Sequence, residues 1–213
     1  MKTDELITML STGAQPVPRF AAERLMGIAV VTGGALSLLM LFTFYGVRPD
    51  LREVSTDIAY WMKIGIPMAN ALIGFFFVRL LARPGKRPQV GYWIIAIPIL
   101  LLWSWALSSW VSAAPVSRPE LLWGETWQVC VLNIMFLALP IGAATLFALR
   151  HLAPTQPTLT GAMAGWFAGN AGASVYALHC PEMAAPFLAV WYVIGMILPA
   201  VIMAFLGSRY LRW

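Results

Sequence analysis

The sequence predicts an all-α integral membrane bundle of six transmembrane helices with both termini in the cytoplasm. Three observations carry this reading. Of 213 residues, 60% are hydrophobic and 11% charged, against about a quarter charged in an ordinary soluble domain. The apolar residues gather in charge-free runs at 25–45, 64–78, 90–116, 126–149, 159–178 and 186–208. An α-helix needs about 20 mostly apolar residues to cross the hydrocarbon, whereas a membrane barrel shows ~10-residue alternating segments. The third observation is the distribution of positive charge. With the N-terminus inside, Lys2, Arg19, Arg24, Arg79, Arg83, Lys86, Arg87, Arg150, Arg209 and Arg212 fall on the cytoplasmic side, and Arg48, Arg52, Lys63 and Arg118 outside. That inside bias orients the bundle. It also accounts for the net charge of +5 through topology and anionic lipid, so no nucleic-acid partner is implied.

Residues 1–25 form a polar cytoplasmic segment, and residues 26–213 a six-helix membrane domain, with no room for a separate soluble domain. The segment begins with "TDELITML", where Thr3 suits an N-cap and Asp4 and Glu5 suit a first turn. Leu6, Ile7, Met9 and Leu10 form an apolar stripe that a partner protein can bind. Gly13, Pro16 and Pro18 then break the helix. No cleavable signal is expected, because some 25 fairly polar residues precede the first apolar run.

The spans are placed near 26–45, 61–82, 91–112, 127–149, 160–178 and 187–207. Pro67, Pro98, Pro140 and Pro199 should kink four of them, which neighbouring helices tolerate. Asn70, Asn133 and Asn170 are read as interhelical hydrogen bonds. Trp61, Trp110, Trp123 and Trp127 near the outer boundary, and Trp93, Trp166 and Trp213 near the inner one, read as an aromatic belt. In the fifth span Gly161, Gly165 and Gly169 stand four apart, a small-residue ridge for close helix packing. No ionisable residue occupies the middle of a span. That counts against an ion-coupled transporter, which usually needs one.

The remaining signal is "YALHCPE" at 176–182. Cys180 there and Cys130 at the start of the fourth span fall on the outer side under this topology. Three readings are open: a redox-responsive disulfide, a soft-metal site (copper, zinc or cadmium) with His179, Glu182 or Met183 as auxiliary ligands, or inert packing. A membrane thiol oxidoreductase is disfavoured because no CxxC pair is present.

"YALHCPE", the following "FLAVWYVIG" and the terminal "GSRYLRW", together with "VRPDL", "LARPG" and the position of Cys130, resemble the NrsF-type family of bacterial inner-membrane anti-sigma factors. The resemblance implies a multi-pass regulator, not an enzyme, that holds an extracytoplasmic-function sigma factor at the membrane. It implies release when heavy metal or oxidative envelope stress reaches Cys130 and Cys180. The 1–25 segment would be the sigma contact. Movement of the fourth span against the fifth and sixth, carried by the glycine ridge, would be the transmission. A small-solute or metal transporter and a thiol oxidoreductase are the rival readings.

Overall fold

The computed structural model describes residues 3–12, 20–83, 85 and 91–212, all helix, turn or coil with no strand among them. Lys2, Gly13, Pro16, Pro18, Arg19, Lys86, Arg87 and Trp213 lie outside the described residues, as does the side chain of Leu10. Helix α1 is Thr3–Ser11, and it opens with Asp4 and Glu5, where carboxylates complement the helix dipole. Among the described residues five helices are long and apolar enough to cross a membrane: Ala21–Tyr45, Ile58–Leu81, Tyr92–Ser112, Arg118–Arg150 and Ala185–Tyr210. The first three are labelled α2, α4 and α5. Leu51–Val54 is the short helix α3. The fourth stretch divides at Gly124 into α6, Arg118–Trp123, and α7, Trp127–Arg150. Helix α8 is Pro157–Tyr176, and Ala185–Tyr210 is α9.

Helix α8, at 20 residues, is long enough to cross a membrane but is not among the five apolar ones, for a physical reason. It is the axis of the bundle, packed on α9, α4 and α7, and buried along most of its length. A helix whose neighbours are helices needs small residues more than apolar surface. Glycines supply the close approach. A Cβ at Gly161 would fall on the Met203 carbonyl and on Gly207, one at Gly165 on the Pro199 carbonyl, and one at Gly169 on the Met196 carbonyl. The ridge therefore lies against α9 inside the bundle. Helix α2 packs on α7, where the Ser37 hydroxyl donates to the Leu137 carbonyl at 2.8 Å.

Two helices carry a widened π turn, at Leu41–Tyr45 in α2 and Leu188–Tyr192 in α9. Such turns are rare and concentrate at functional sites. Each ends on a tyrosine packed into the same buried cluster, which also holds both cysteines. A second cluster, around Met26, Val78, Ala82, Leu149 and Leu211, closes the opposite end.

Several side chains stand elsewhere than the sequence suggested. Trp166 is buried, its ring against Gly74, so it is an interior residue and not part of a belt. Of the three asparagines only Asn133 bonds between helices. Asn170 donates to the Trp166 carbonyl of its own helix at 2.8 Å, and the Asn70 amide has no partner. Lys63 is not a loop charge: it sits inside α4 at 2% exposure.

Candidate sensor site

Cys130 lies in the first turn of α7, its N–H donating to the Thr126 carbonyl at 2.9 Å. Beyond α8 the chain continues for one more turn. The His179 and Cys180 N–H groups both donate to the Tyr176 carbonyl, at 2.9 and 3.0 Å. That winding turns Cys180 inward, and Pro181 then carries the chain out. Both cysteines are free and completely buried. They share a cluster with Ile134, Tyr176, Phe187 and Tyr192.

The loop that carries Cys180 is held from several directions. From α4, Lys63 Nζ donates to the carbonyls of Cys180 at 2.6 Å and Glu182 at 2.7 Å. From the segment after α2, Arg48 Nη1 donates to the Cys180 carbonyl at 3.2 Å and lies 3.6 Å from Met183 Sδ. Arg48 is itself fixed by a two-pronged bond to Asp50, both contacts at 2.7 Å. This guanidinium, through its hydrogen bond first and its charge second, holds the Asp50 carboxyl below its ordinary value. From α7's side, Glu182 Oε1 accepts from the N–H groups of Glu125 and Thr126, at 2.7 and 3.0 Å, and from the Thr126 hydroxyl at 3.1 Å. Glu182 thus caps, from another segment, the turn at Glu125 and Thr126 that leads into the helix carrying Cys130, with its charge beside the positive end of that helix. Gly124 makes room: its φ is +51°, and a Cβ there would strike the Glu182 carboxylate.

Tyrosines complete the site. The Tyr45 hydroxyl donates to Asn133 Oδ1 at 3.0 Å, and Asn133 Nδ2 donates to the Tyr176 hydroxyl at 3.2 Å. His179 stacks near Tyr45 and Tyr176, with ring centroids 5.3 and 5.9 Å away. Its Nδ1 faces the Gly46 carbonyl at 3.1 Å, which requires the proton on that nitrogen.

The structure thus gathers Cys130, Cys180, His179, Glu182 and Met183 at one end, but with different tasks. The Glu182 carboxylate is engaged as a cap and Met183 sulfur faces a guanidinium. Among the described residues no group of three or more His, Cys, Asp and Glu side chains is arranged to hold a metal. Arg48 and Lys63 were missed as site residues. The available signal was a lone lysine one turn before Pro67 in an otherwise apolar run. At the other end Arg83 pairs with Glu23 at the base of α2, just beyond the 13–19 segment. In α1 the side chains of Leu6, Ile7 and Met9 are exposed.

The family profile described as "NrsF: Negative regulator of sigma F" matches residues 10–213. The chain belongs to the NrsF family. It is 38% identical over 213 residues to the probable anti-sigma-F factor NrsF of Azospira oryzae, covering all of both chains. It is 35% identical over 219 residues to the anti-sigma-F factor NrsF of Caulobacter vibrioides, again covering all of both. No solved structure matches. The NrsF role is regulatory and non-enzymatic, so a thiol oxidoreductase falls outside it.

Proposed function

We propose that this chain is a six-span anti-sigma factor of the bacterial inner membrane with both termini cytoplasmic. It sequesters a sigma factor of the extracytoplasmic-function type on the cytoplasmic side and releases it when Cys130 and Cys180 are oxidised or capture a soft metal. The observation that carries the reading is the full-length match to the NrsF family and to two anti-sigma-F factors. A belt of exposed large apolar side chains, among them Val31, Phe42, Leu72, Leu107, Leu139 and Phe205, supports insertion, since a surface so apolar suits lipid and not water. The buried thiols and the α2 base joined to the 1–25 segment lie at opposite ends of the bundle, as a signal crossing a bilayer requires. Leu6, Ile7 and Met9 supply the apolar face for sigma.

Two thiols with no third ligand among the described residues favour a disulfide, or a two-coordinate soft ion, over a closed zinc site, which takes four ligands. Gentle solubilisation of native membranes, affinity capture of the chain and identification of what comes with it test the reading. A sigma factor that is lost when Leu6 and Met9 are changed to Asp is the expected result. Its absence, or retention by that variant, would overturn the proposed contact. A cytoplasm-only reporter should work after Trp213 and fail at Glu182; activity at Glu182 would reverse the topology.

A further inference from the structure

We propose that Lys63 is the latch of a pivoting helix: its ammonium holds α4 to the Cys180–Glu182 loop at rest, and α4 turns about Pro67 when that loop moves. The inference rests on the proposed function for its stimulus, but its central test needs none.

The orientation of Lys63 is the first observation. A lysine near the end of a membrane-spanning helix ordinarily extends its head toward water, because burying an ammonium is costly. Lys63 does the reverse. At 2% exposure it points into the bundle, and its charge is met by main-chain carbonyls, with the Tyr192 ring centroid 5.7 Å away. One of those carbonyls belongs to Cys180 itself. Chemistry at the Cys180 thiol that draws its main chain along therefore shifts the oxygen to which Lys63 is bound.

The second observation is local weakness in α4 at the same place. Pro67 has no N–H, so the Lys63 carbonyl, four residues earlier, loses its helical partner. Gly65 lies between them with nothing within 4 Å of where its Cβ would be. The turn at 63–67 is a natural hinge, and Lys63 clamps it.

The third observation lies one turn deeper. Asn70 is fully buried, and both its amide oxygen and its amide nitrogen lack partners; the Asn170 oxygen on α8 also lacks one. Gly74 of α4 abuts Trp166 and Phe167 of α8. The two helices run antiparallel, so four residues back on α4 lies level with about four residues on along α8, which puts Asn70 at the depth of Asn170. Buried polar groups left unpaired are rare and costly. Here they are the bond that a second arrangement gains: an Asn70 N–H donating to the Asn170 oxygen once α4 has turned. Resting contacts at Lys63 and the alternative contact at Asn70 make α4 a two-state element, which is what physical coupling between distant sites needs. Just past its far end stands Arg83, paired with Glu23 of α2, so the turn arrives where the sigma-binding segment joins the bundle.

The full chain is tested in native membranes with the sigma factor that co-purifies with it. Lys63→Met keeps the stem and removes the charge. At equal membrane abundance it should retain about tenfold less sigma without any stimulus, since charge-assisted bonds at this depth bias a two-state equilibrium by that factor or more. Lys63→Arg should retain sigma. Adding Cys180→Ser to Lys63→Met should leave the release unchanged, because the latch acts after the thiol. Asn70→Leu, which replaces an unpaired buried amide by an apolar group, should hold sigma and require about tenfold more cadmium ion or diamide for release. Hydrogen exchange at the amides of Ile64 and Ile66 should rise in Lys63→Met and not in Lys63→Arg. Full sigma retention by Lys63→Met, or a parental dose response in Asn70→Leu, would overturn the latch. If Lys63→Met does not accumulate, Asn70→Leu decides. A parent chain that ignores both cadmium and diamide sinks the sensor reading instead, and the exchange measurement on Lys63→Met then decides the latch alone.

Discussion

Glu182 offers the sharpest separation between a metal ligand and a structural cap. Its Oε1 accepts from two main-chain N–H groups and a hydroxyl at the start of α7, one turn before Cys130. Charge-assisted bonds contribute about 1.5–3 kcal/mol each when buried, but Glu182 is only partly buried and water replaces part of what is lost. Loss of such main-chain bonds at a partly exposed site costs about 1 kcal/mol, and the nearby helix dipole adds a few tenths to about 1 more. Glu182→Ala should therefore cost about 2 kcal/mol in the first turn of α7, or about thirtyfold more frequent opening. The assay is maleimide labelling of Cys130 in a Cys180→Ser background in membranes. Labelling should accelerate about thirtyfold for Glu182→Ala and only about threefold for Glu182→Gln, which keeps an oxygen acceptor and loses the charge. Unchanged labelling in both, combined with an equal loss of cadmium response, would refute the cap and restore Glu182 as a ligand.

Gly124→Ala should mimic Glu182→Ala, because a Cβ strikes the carboxylate and a φ of +51° costs a non-glycine residue about 1–3 kcal/mol; Cys130 labelling again reports it. Gly165→Leu should lower the yield of folded, detergent-stable protein, since the Pro199 backbone of α9 occupies that space and overpacking costs about 1–3 kcal/mol or more. Asp50 has a depressed carboxyl, so its contribution to the Arg48 clamp is fully present above the ordinary carboxylate range and is lost as pH falls through the lower folded value. Cys180 labelling should therefore be insensitive to the Asp50 proton between about pH 5 and 7. Measured relative to the unfolded chain at the same pH, which removes the fall in thiolate, it should accelerate in acid, and Asp50→Asn should show the accelerated rate at neutral pH; a rate unaffected by Asp50→Asn would remove Asp50 from the clamp.

The helical architecture was legible because apolar runs of span length leave a chain few alternatives. The glycine spacing in α8 was legible as a packing face, since only small residues admit a neighbouring backbone so closely. What composition could not convey is which helix is central. Nothing in the apolar runs set α8 apart from the other helices, whereas in the bundle it is the axis, and its lower apolarity follows from facing protein on most sides. The π turns left no trace in the pattern, because one extra residue per turn changes no residue type. Among the asparagines, the sequence marks depth but not azimuth. Asn133 meets two tyrosines across helices while Asn170 turns back on its own carbonyl, and nothing in the spacing distinguishes them.

The cysteines could be singled out from their rarity and depth, but the cations that hold them could not, and the reason is general. A positive charge within a turn or two of a span's end serves orientation, and solvation then favours a head that reaches water. Arg48 and Lys63 satisfy that rule in the sequence and break it in space. Only the fold brings the loop after α8 across the ends of α2 and α4, so that two carbonyls of 180 and 182 face a lysine 117 positions away from the first of them. Once that loop is in place, the ammonium gains oriented carbonyl dipoles in exchange for water, and the loop gains an anchor that its Pro181 cannot provide through an N–H. The chemistry that makes the site recognisable resides in the thiols. The mechanical constraint that would let a thiol move a helix resides in a cation which the linear pattern assigns to topology alone.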